Sequence, residues 1–229
     1  MISAVVTDIE GTTSAIAFVK ETLFPFAAEA LDGFLDAQGQ APDVQAVLAA
    51  VPGPDRRATL RGWMAEDAKV TPLKTLQGMI WRAGFEDGRL KGHLWPDVPG
   101  CLRAWAEAGI TLAVYSSGSV EAQRLLFRHS QAGNLEPLFR GFFDTRIGAK
   151  RDAAAYAAIA AALDCPTGEI LFLSDVAEEL DAAAQQGLQT CQLVRAADGT
   201  QPCGRHPAAD GFPAVAQRFG LPQPGSAPG

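Results

Sequence analysis

The chain has 229 residues, of which 48% are hydrophobic and 20% charged, the composition of a globular protein with one sizeable core and room for a smaller appended domain. A formal net charge of −7 argues against nucleic-acid partners, because a nucleic-acid surface needs a dense basic patch. No apolar run is long enough to span a membrane, and the N-terminus lacks a signal-peptide pattern, so we expect a cytoplasmic protein without a membrane partner.

The first predicted element is a buried parallel strand. Residues 2–7 form a short apolar run rich in β-branched side chains. The strand ends at the motif Asp-Ile-Glu-Gly-Thr-Thr of residues 8–13, in which Gly11 is a strand breaker. Asp8 is therefore expected at the carboxyl end of this strand.

Residues 16–95 predict an inserted all-helical cap. Apolar residues recur there at helical spacing and no strand-like alternation is present, while prolines and a glycine between positions 42 and 54 mark turns. We therefore expect a catalytic core made of residues 1–15 and 96–222, a cap made of residues 16–95, and a flexible tail at residues 223–229.

The second half of the chain alternates between strands and helices. Strands are predicted at residues 110–115, 170–173 and 190–194, and helices at residues 101–108, 119–129, 153–163 and 178–186. This alternation is typical of an α/β fold with a doubly wound parallel sheet, whose ligand site lies beyond the carboxyl ends of the strands. Asp8, Ser116 and Asp175 follow three of these strands, so we expect them to lie close together.

Asp8 is the strongest candidate for a catalytic residue. A carboxylate can attack a phosphoryl group in line and form an aspartyl-phosphate, although each like-charge pair at about 4 Å costs on the order of 4 kcal/mol. A magnesium ion held by oxygen ligands removes that repulsion, and Asp175 is the natural second carboxylate. The alternative is that an aspartate at a strand end only caps a helix or turn.

Other polar residues at the same predicted edge suggest supporting roles. Glu10 is placed to act as a general acid and then a general base, or else is a solvated turn residue. Residues 116–119 (Ser-Ser-Gly-Ser) open a helix and predict a phosphate cradle, although such residues are also ordinary N-caps. Lys150 and Arg151 are adjacent candidates for neutralising the phosphate, and the sequence does not choose between them.

Two acidic residues follow Asp175 at the start of a predicted helix. We expect Glu179 to be a first-turn residue that complements the helix dipole, and we leave a role of Glu178 at the metal open. The four cysteines contain no Cys-x-x-Cys pair and the three histidines are dispersed, so we expect reduced thiols and no zinc site.

In this order, the motifs resemble those of the haloacid dehalogenase superfamily. The glutamate at position 10 stands where most members of the superfamily have aspartate, and the motif Asp-Ile-Glu-Gly-Thr-Thr resembles that of the acireductone synthase family, the bifunctional enolase-phosphatases of methionine salvage. The similarity extends over residues 1–195. The further matching segments are residues 16–20, 23–25, 69–74, 76–81, 90–93, 96–98, 115–123, 143–150 and 170–176.

This resemblance implies a substrate, a cofactor and a set of site residues. The substrate would be 2,3-diketo-5-methylthiopentyl-1-phosphate, which is enolised and then dephosphorylated with one magnesium ion, and the enzyme would be a monomer. Asp8, Glu10 (through its backbone carbonyl) and Asp175 would hold the metal. The phosphate would be held by Ser116, Ser117, Gly118 and Lys150. The resemblance does not identify the base for enolisation, for which Glu10 is a candidate.

Three alternatives remain at this point. The chain is a phosphatase of the same fold acting on another small phosphomonoester, or a non-catalytic module that binds a phosphorylated ligand, or a true dehalogenase. Binding alone does not require Asp8, Glu10 and Lys150 together with a second carboxylate, and cleavage of a carbon–halogen bond does not require carboxylates that hold magnesium. The enolase-phosphatase hypothesis is therefore preferred.

Overall fold

The structure is a computed structural model and describes residues 1–225. It contains two compact units. The core unit comprises Met1–Ile16 and the chain from Gly92 onward, and the helical unit comprises Ala17–Lys91. The chain therefore re-enters the core unit slightly before the predicted boundary at residue 96.

The core unit is built on a parallel sheet. Within the described residues the strand order is β3-β2-β1-β4-β5-β6, and every pair of neighbouring strands is parallel. The strands are β1 (Ala4–Thr7), β2 (Thr111–Tyr115), β3 (Phe139–Phe143), β4 (Ile170–Ser174), β5 (Gln189–Leu193) and β6 (Ala208–Ala209). All residues of β1 and β4 are buried, as expected for central strands covered on both faces. The prediction of a doubly wound parallel sheet is confirmed.

Helices connect the strands of the core unit. They are listed here with their bounds: α5 (Val98–Glu107), α6 (Val120–Arg128), α7 (Ala153–Leu163), α8 (Ala177–Gln185) and α9 (Phe212–Phe219). The Ala-rich α7 packs with α8 against the sheet in one apolar cluster that includes Tyr115, Tyr156 and Phe172. No helix among the described residues is long and apolar enough to cross a membrane.

The register of the sheet brings three strand ends together. Thr7, the last residue of β1, is paired with Val114 of β2 on one side and with Leu173 of β4 on the other. The residues that directly follow these three strands therefore share one edge of the sheet. The sequence predicted this convergence, because all three strands are continuous apolar runs.

Two strands at the edges of the sheet were not predicted. β3 includes the exposed Arg140 and the half-buried Gly141, and β6 has only two residues. An edge strand has one hydrogen-bonding side unpaired and needs no continuous apolar run. The periodicity that revealed the central strands is therefore absent from both segments.

The helical unit has an apolar core of its own. It contains a π-helical turn at Val19–Leu23, followed by the helices α1 (Phe24–Gln38), α2 (Pro42–Ala49), α3 (Arg56–Ala65) and α4 (Thr71–Glu86). Their inward faces form one cluster around Leu31, Leu60 and Leu76, none of which is exposed. The insertion is all-helical in the described residues, as its apolar spacing predicted.

The C-terminal segment packs on the core unit further than its composition suggested. The indole of Trp105 donates to the carbonyl of Pro222 (3.1 Å), and the side-chain amide of Gln223 donates to the carbonyl of Pro213 (3.0 Å). Packing thus continues past the predicted start of the tail at residue 223, and residues 226–229 lie outside the described part of the chain.

His93 joins the two segments of the core unit that flank the helical insertion. Its Nδ1 accepts a hydrogen bond from the backbone N–H of Ala15 (3.2 Å) and lies 3.1 Å from the hydroxyl of Ser14. Because Nδ1 is an acceptor, the neutral ring carries its proton on Nε2. Burial lowers the pKa of His93 below 6.5, although the negative charge of Asp198 opposes this shift.

The stability of the core unit should therefore depend on the protonation of His93. Because the pKa of His93 is lower in the folded state, the unfolded chain binds the proton more readily. The contribution of neutral His93 to the free energy of unfolding is therefore complete above pH 6.5 and is lost as the pH falls through the folded pKa. His93→Asn, which keeps an acceptor near Nδ1 but does not titrate, should show a weaker decline of unfolding free energy over this range. Urea unfolding across pH and an NMR titration of the imidazole would measure it. A His93 pKa at or above 6.5 would contradict the argument.

Candidate active site

The loop that follows β1 holds Asp8 in a fixed position. Asp8 is only 5% exposed, and its backbone N–H donates to the carbonyl of Leu173 in β4 (2.9 Å). Its carbonyl accepts a hydrogen bond from the hydroxyl of Thr13 (3.2 Å). Gly11 has φ +72°, and a Cβ at this position would overlap the carboxylate of Asp175. The loop and the end of β4 thus approach more closely than any other residue at position 11 would permit.

Lys150 lies between two buried carboxylates. Its Nζ is 2.8 Å from Asp8 Oδ2 and 2.7 Å from Glu179 Oε2, and the side chain is 10% exposed. Burial acts against the ammonium charge, but the two carboxylates outweigh it and raise the pKa of Lys150 above its ordinary value. The neighbouring Arg151 is exposed. The structure thus brings Lys150, rather than Arg151, to Asp8.

The loop before α7 is held in place by two buried tyrosines. The hydroxyl of Tyr156 donates to the carbonyl of Lys150 (2.7 Å), and the hydroxyl of Tyr115 donates to the carbonyl of Gly148 (2.9 Å). Burial raises the pKa of Tyr115 to about 12, so it remains a neutral donor. These bonds fix the backbone from which Lys150 extends.

Glu179 is a site residue that the sequence analysis missed. It does lie in the first turn of α8, but it is only 8% exposed and accepts a hydrogen bond from the hydroxyl of Ser174 (2.8 Å) as well as contacting Lys150. Burial and the charge of Asp8 raise its pKa. By contrast, the side chain of Glu178 is 56% exposed and lies 4.0 Å from Arg205. The expectation of a simple dipole-complementing role was therefore wrong for Glu179.

Asp175 is oriented through its backbone and leaves one carboxylate oxygen without a partner. Its N–H donates to the hydroxyl of Thr12 (3.1 Å), and its carbonyl accepts from the amide of Gln192 (2.9 Å). Oδ1 is buried and has no hydrogen-bond partner. Burial, followed by the negative charge of Asp8, raises the pKa of Asp175 to about 7. A buried oxygen without a hydrogen-bond partner is available to a cation.

The charges of the site fit a divalent cation. Asp8, Asp175 and Glu179 are three largely buried carboxylates, and Lys150 supplies a single positive charge among them. Within residues 1–225 no three His, Cys, Asp or Glu side chains are arranged as a metal cluster. A cation between Asp8 and Asp175 would be held by these two carboxylates together with backbone and solvent oxygens, a ligand set that suits magnesium.

Glu10 and the Ser-Ser-Gly-Ser segment complete the set of predicted residues. Glu10 is half-buried in the Asp8 loop, where its backbone forms a bridge with Ser14. Ser116 is buried after β2 and its N–H donates to the carbonyl of Phe143 (3.1 Å). Ser117 is exposed and Gly118 half-buried, and the Gly118 N–H points to Ser116 Oγ at 3.4 Å.

A buried glutamine secures this segment from within. The Nε2 of Gln123 donates to the carbonyls of Gly118 (2.8 Å) and Phe143 (2.9 Å). Ser119 caps α6 by accepting from the N–H of Ala122 (3.2 Å). These bonds hold the turn between β2 and α6, and the hydroxyls and N–H groups at the start of α6 are of the kind that can bind a phosphate.

Comparison with known proteins assigns the chain to a family. Residues 2–187 match the haloacid dehalogenase-like hydrolase family. The chain is 56% identical to "Enolase-phosphatase E1" of Granulibacter bethesdensis, with 96% of this chain and 98% of that protein covered. It is 50% identical to the protein of the same name from Gluconobacter oxydans, with 97% and 99% covered.

Solved structures show the same fold. The UTR4 protein of Saccharomyces cerevisiae is 32% identical and superposes with a TM-score of 0.81, covering 93% of this chain and 99% of that one. CbbY of Rhodobacter sphaeroides in complex with phosphate is 19% identical with a TM-score of 0.62, covering 93% and 95%, and shares the fold alone. On its fold, its strand-end carboxylates and these relatives, the chain belongs to the haloacid dehalogenase-like hydrolases and, among them, to the enolase-phosphatases.

Proposed function

We propose that this protein is a magnesium-dependent enolase-phosphatase of methionine salvage. It converts 2,3-diketo-5-methylthiopentyl-1-phosphate to the acireductone 1,2-dihydroxy-3-keto-5-methylthiopentene and phosphate. The observation that carries the proposal is the buried contact between Lys150 and Asp8 Oδ2 (2.8 Å). The chain in which it occurs is 56% and 50% identical in sequence to two proteins named enolase-phosphatase. Those relatives are matched over 98% and 99% of their lengths, which supports assigning their substrate together with the site.

In the phosphatase half-reaction, Asp8 is the nucleophile. A carboxylate oxygen of Asp8 forms a bond to phosphorus, the bond from phosphorus to the substrate oxygen breaks, and Glu10 gives that oxygen a proton. Glu10 then takes a proton from water, which attacks phosphorus and releases phosphate with regeneration of the Asp8 carboxylate. Lys150 stays charged because its pKa is raised, and so offsets charge on the phosphoryl oxygens throughout.

One magnesium ion is proposed at Asp8, Asp175 and the backbone carbonyl of Glu10. The unpartnered buried Oδ1 of Asp175 and the excess of carboxylates support this assignment. When bound, the ion supplies positive charge that offsets repulsion between anions and stabilises enolate and phosphoryl oxygens. Ser116, Ser117 and Gly118 are assigned to the phosphate.

The enolase half-reaction is assigned to the same site. Removal of a proton next to a substrate carbonyl leaves an enolate, and Lys150 is a buried cation positioned to stabilise that charge. Glu10 is the candidate for the base, since it shares the loop of Asp8. The helical unit Ala17–Lys91 is assigned the role of the cap, because it is inserted in the chain between β1 and α5.

We further propose a cytoplasmic monomer. All four cysteines lie within the described residues and none forms a disulfide, which is usual in a reducing compartment. The monomeric state rests on the family resemblance.

Substituting the proposed nucleophile gives the first test of this function. Asp8→Asn should lower turnover by on the order of 10⁴-fold or more, because the amide cannot form the acyl phosphate. The fold should survive, since Lys150 keeps Glu179 as a partner. Asp164→Asn is a matched control in the left-handed C-cap of α7, where asparagine is tolerated, and should keep wild-type turnover. Appreciable phosphate release by folded Asp8→Asn would refute the role of Asp8.

Substituting Glu179 tests the charge balance around Lys150. Glu179→Gln keeps the size of the side chain but removes one of the two carboxylates that raise the lysine pKa. We expect kcat to fall about 10- to 100-fold, as for other outer partners of a reacting group, and the basic limb of the kcat–pH profile to move to lower pH. Glu178→Gln, at an exposed position, is the matched control. An unchanged limb in the Glu179 variant would show that this carboxylate does not act through Lys150.

An anaerobic ultraviolet assay with the diketo phosphate tests the substrate itself. Enol formation and phosphate release are followed together, first with magnesium and then after chelation. We expect an enol signal followed by a stoichiometric amount of phosphate, both dependent on magnesium. Phosphate released only from other phosphomonoesters, without an enol signal, would retain the Asp8 chemistry but exclude this substrate. Absence of phosphate release from any phosphomonoester would instead favour a binding module.

A further inference from the structure

Arg195 directs its side chain at the backbone of the nucleophile loop. It follows β5, at the same edge of the sheet as Asp8, and its side chain is only 7% exposed. Both Nε and Nη2 donate to the carbonyl oxygen of Thr12, at 3.2 Å and 3.0 Å. A single carbonyl thus accepts two hydrogen bonds from one edge of the planar guanidinium group.

The opposite end of the guanidinium group is held by the carboxylate of Asp97 and the backbone of Asp210. Nη1 donates to both carboxylate oxygens of Asp97 (3.0 and 3.1 Å) and to the carbonyl of Asp210 (3.2 Å). The N–H of Phe212 in turn donates to Asp97 Oδ2 (2.8 Å). A Cβ on Gly211 would come within 2.8 Å of that same oxygen, so the C-terminal segment fits closely around the pair.

Aromatic rings enclose what remains of the guanidinium group. Its central carbon lies 5.3 Å from the ring centroid of Trp95 and 5.9 Å from that of Phe212. Buried ion pairs are often replaceable by apolar residues without loss of stability, because desolvation offsets the attraction. The advantage of arginine at this position is therefore geometric: a planar fork can bind acceptors on two sides at once.

Thr12 connects Arg195 to the groups proposed to react. Its hydroxyl accepts the backbone N–H of Asp175 (3.1 Å), while its own N–H donates to Ile9 next to the nucleophile (3.1 Å). We propose that Arg195 is a positioning residue which, through the carbonyl of Thr12, holds the loop of residues 8–13 in register with Asp175. The inference rests on the proposed function, and it adds Asp97 and the segment of residues 210–212 as the support of Arg195.

The variants that test it change geometry while conserving size or charge. Arg195→Lys keeps the positive charge but cannot bind Thr12 and Asp97 together. Thr12→Val removes the acceptor for the Asp175 N–H at nearly constant volume, and Thr12→Ser restores it. Each full-length variant is assayed with para-nitrophenyl phosphate as well as the diketo phosphate, and its magnesium affinity is measured by calorimetry without substrate.

A positioning role has a specific signature. Arg195→Lys and Thr12→Val should each lower kcat and magnesium affinity by about 10- to 100-fold, the range seen when partners of metal ligands are lost. The KM and the inhibition constant of inorganic phosphate should change less than about twofold, because the phosphate cradle is untouched. Thr12→Ser should recover most of the loss. The double variant should be little worse than the poorer single variant, since both act on one loop.

Phe139→Leu serves as the control for a purely structural effect. It loses the ring contacts of Phe139 with Phe127 and Phe142 (4.5 and 5.4 Å) at the start of β3, without touching Thr12, Arg195 or the support of Arg195. It should lower the melting temperature but keep kcat and magnesium affinity. If folded Arg195→Lys resembles this control, the proposal is wrong.

Two further outcomes separate the possible failures. If Arg195→Lys does not fold, Asp97→Asn takes its place, because it loosens the support of the guanidinium group. Asp97→Asn should then lower kcat and magnesium affinity in the same way but by less. Wild-type values of both in that variant would overturn the proposal. If the diketo phosphate is not turned over by any variant, the proposed substrate fails. The calorimetric and para-nitrophenyl phosphate results then still decide the role of Arg195.

Discussion

Electrostatic repulsion between buried carboxylates is the constraint on which the rest of this structure depends. Asp8 and Glu179 are buried and Asp175 is half-buried, and the ammonium group of Lys150 pairs with the first two. The consequence is visible in Asp175, whose pKa rises to about 7 with one oxygen left unpartnered. Additional positive charge would relieve this repulsion, which is why the residues present suit the proposed magnesium ion and a reaction that moves negative charge.

The parallel sheet makes this convergence possible without local strain in the strands themselves. β1 lies between β2 and β4, so groups far apart in the chain emerge side by side. The close approach is made in one turn, where Gly11 with φ +72° allows the loop to pass against the Asp175 carboxylate. A side chain at that position would overlap the Asp175 carboxylate and push the loop away from the end of β4.

Much of this arrangement could be predicted from the sequence, and the remainder could not, for physical reasons. Central strands are continuous apolar runs, so their ends located Asp8, Ser116 and Asp175 at one edge. The edge strands β3 and β6 have no such pattern. Glu179 was misjudged because a first-turn glutamate has the same sequence pattern whether solvated or buried, and only tertiary packing against Lys150 and Ser174 distinguishes the two.

The position of Arg195 just after a predicted strand, at the edge of the sheet that carries the site, is a sequence feature that indicates a role there. Lys150 and Arg195 are both buried cations there, yet they differ in what they contact. Lys150 forms ion pairs with two carboxylate side chains and also lies over the ring of Tyr115, so it adjusts the charge of the site. Arg195 contacts backbone carbonyls as well as Asp97. Because a backbone carbonyl does not titrate, these contacts fix the position of the backbone and do not adjust the charge of the site. The chemistry of lysine suits the first task and the fixed fork of arginine the second, so exchanging either residue for the other would preserve charge but not function.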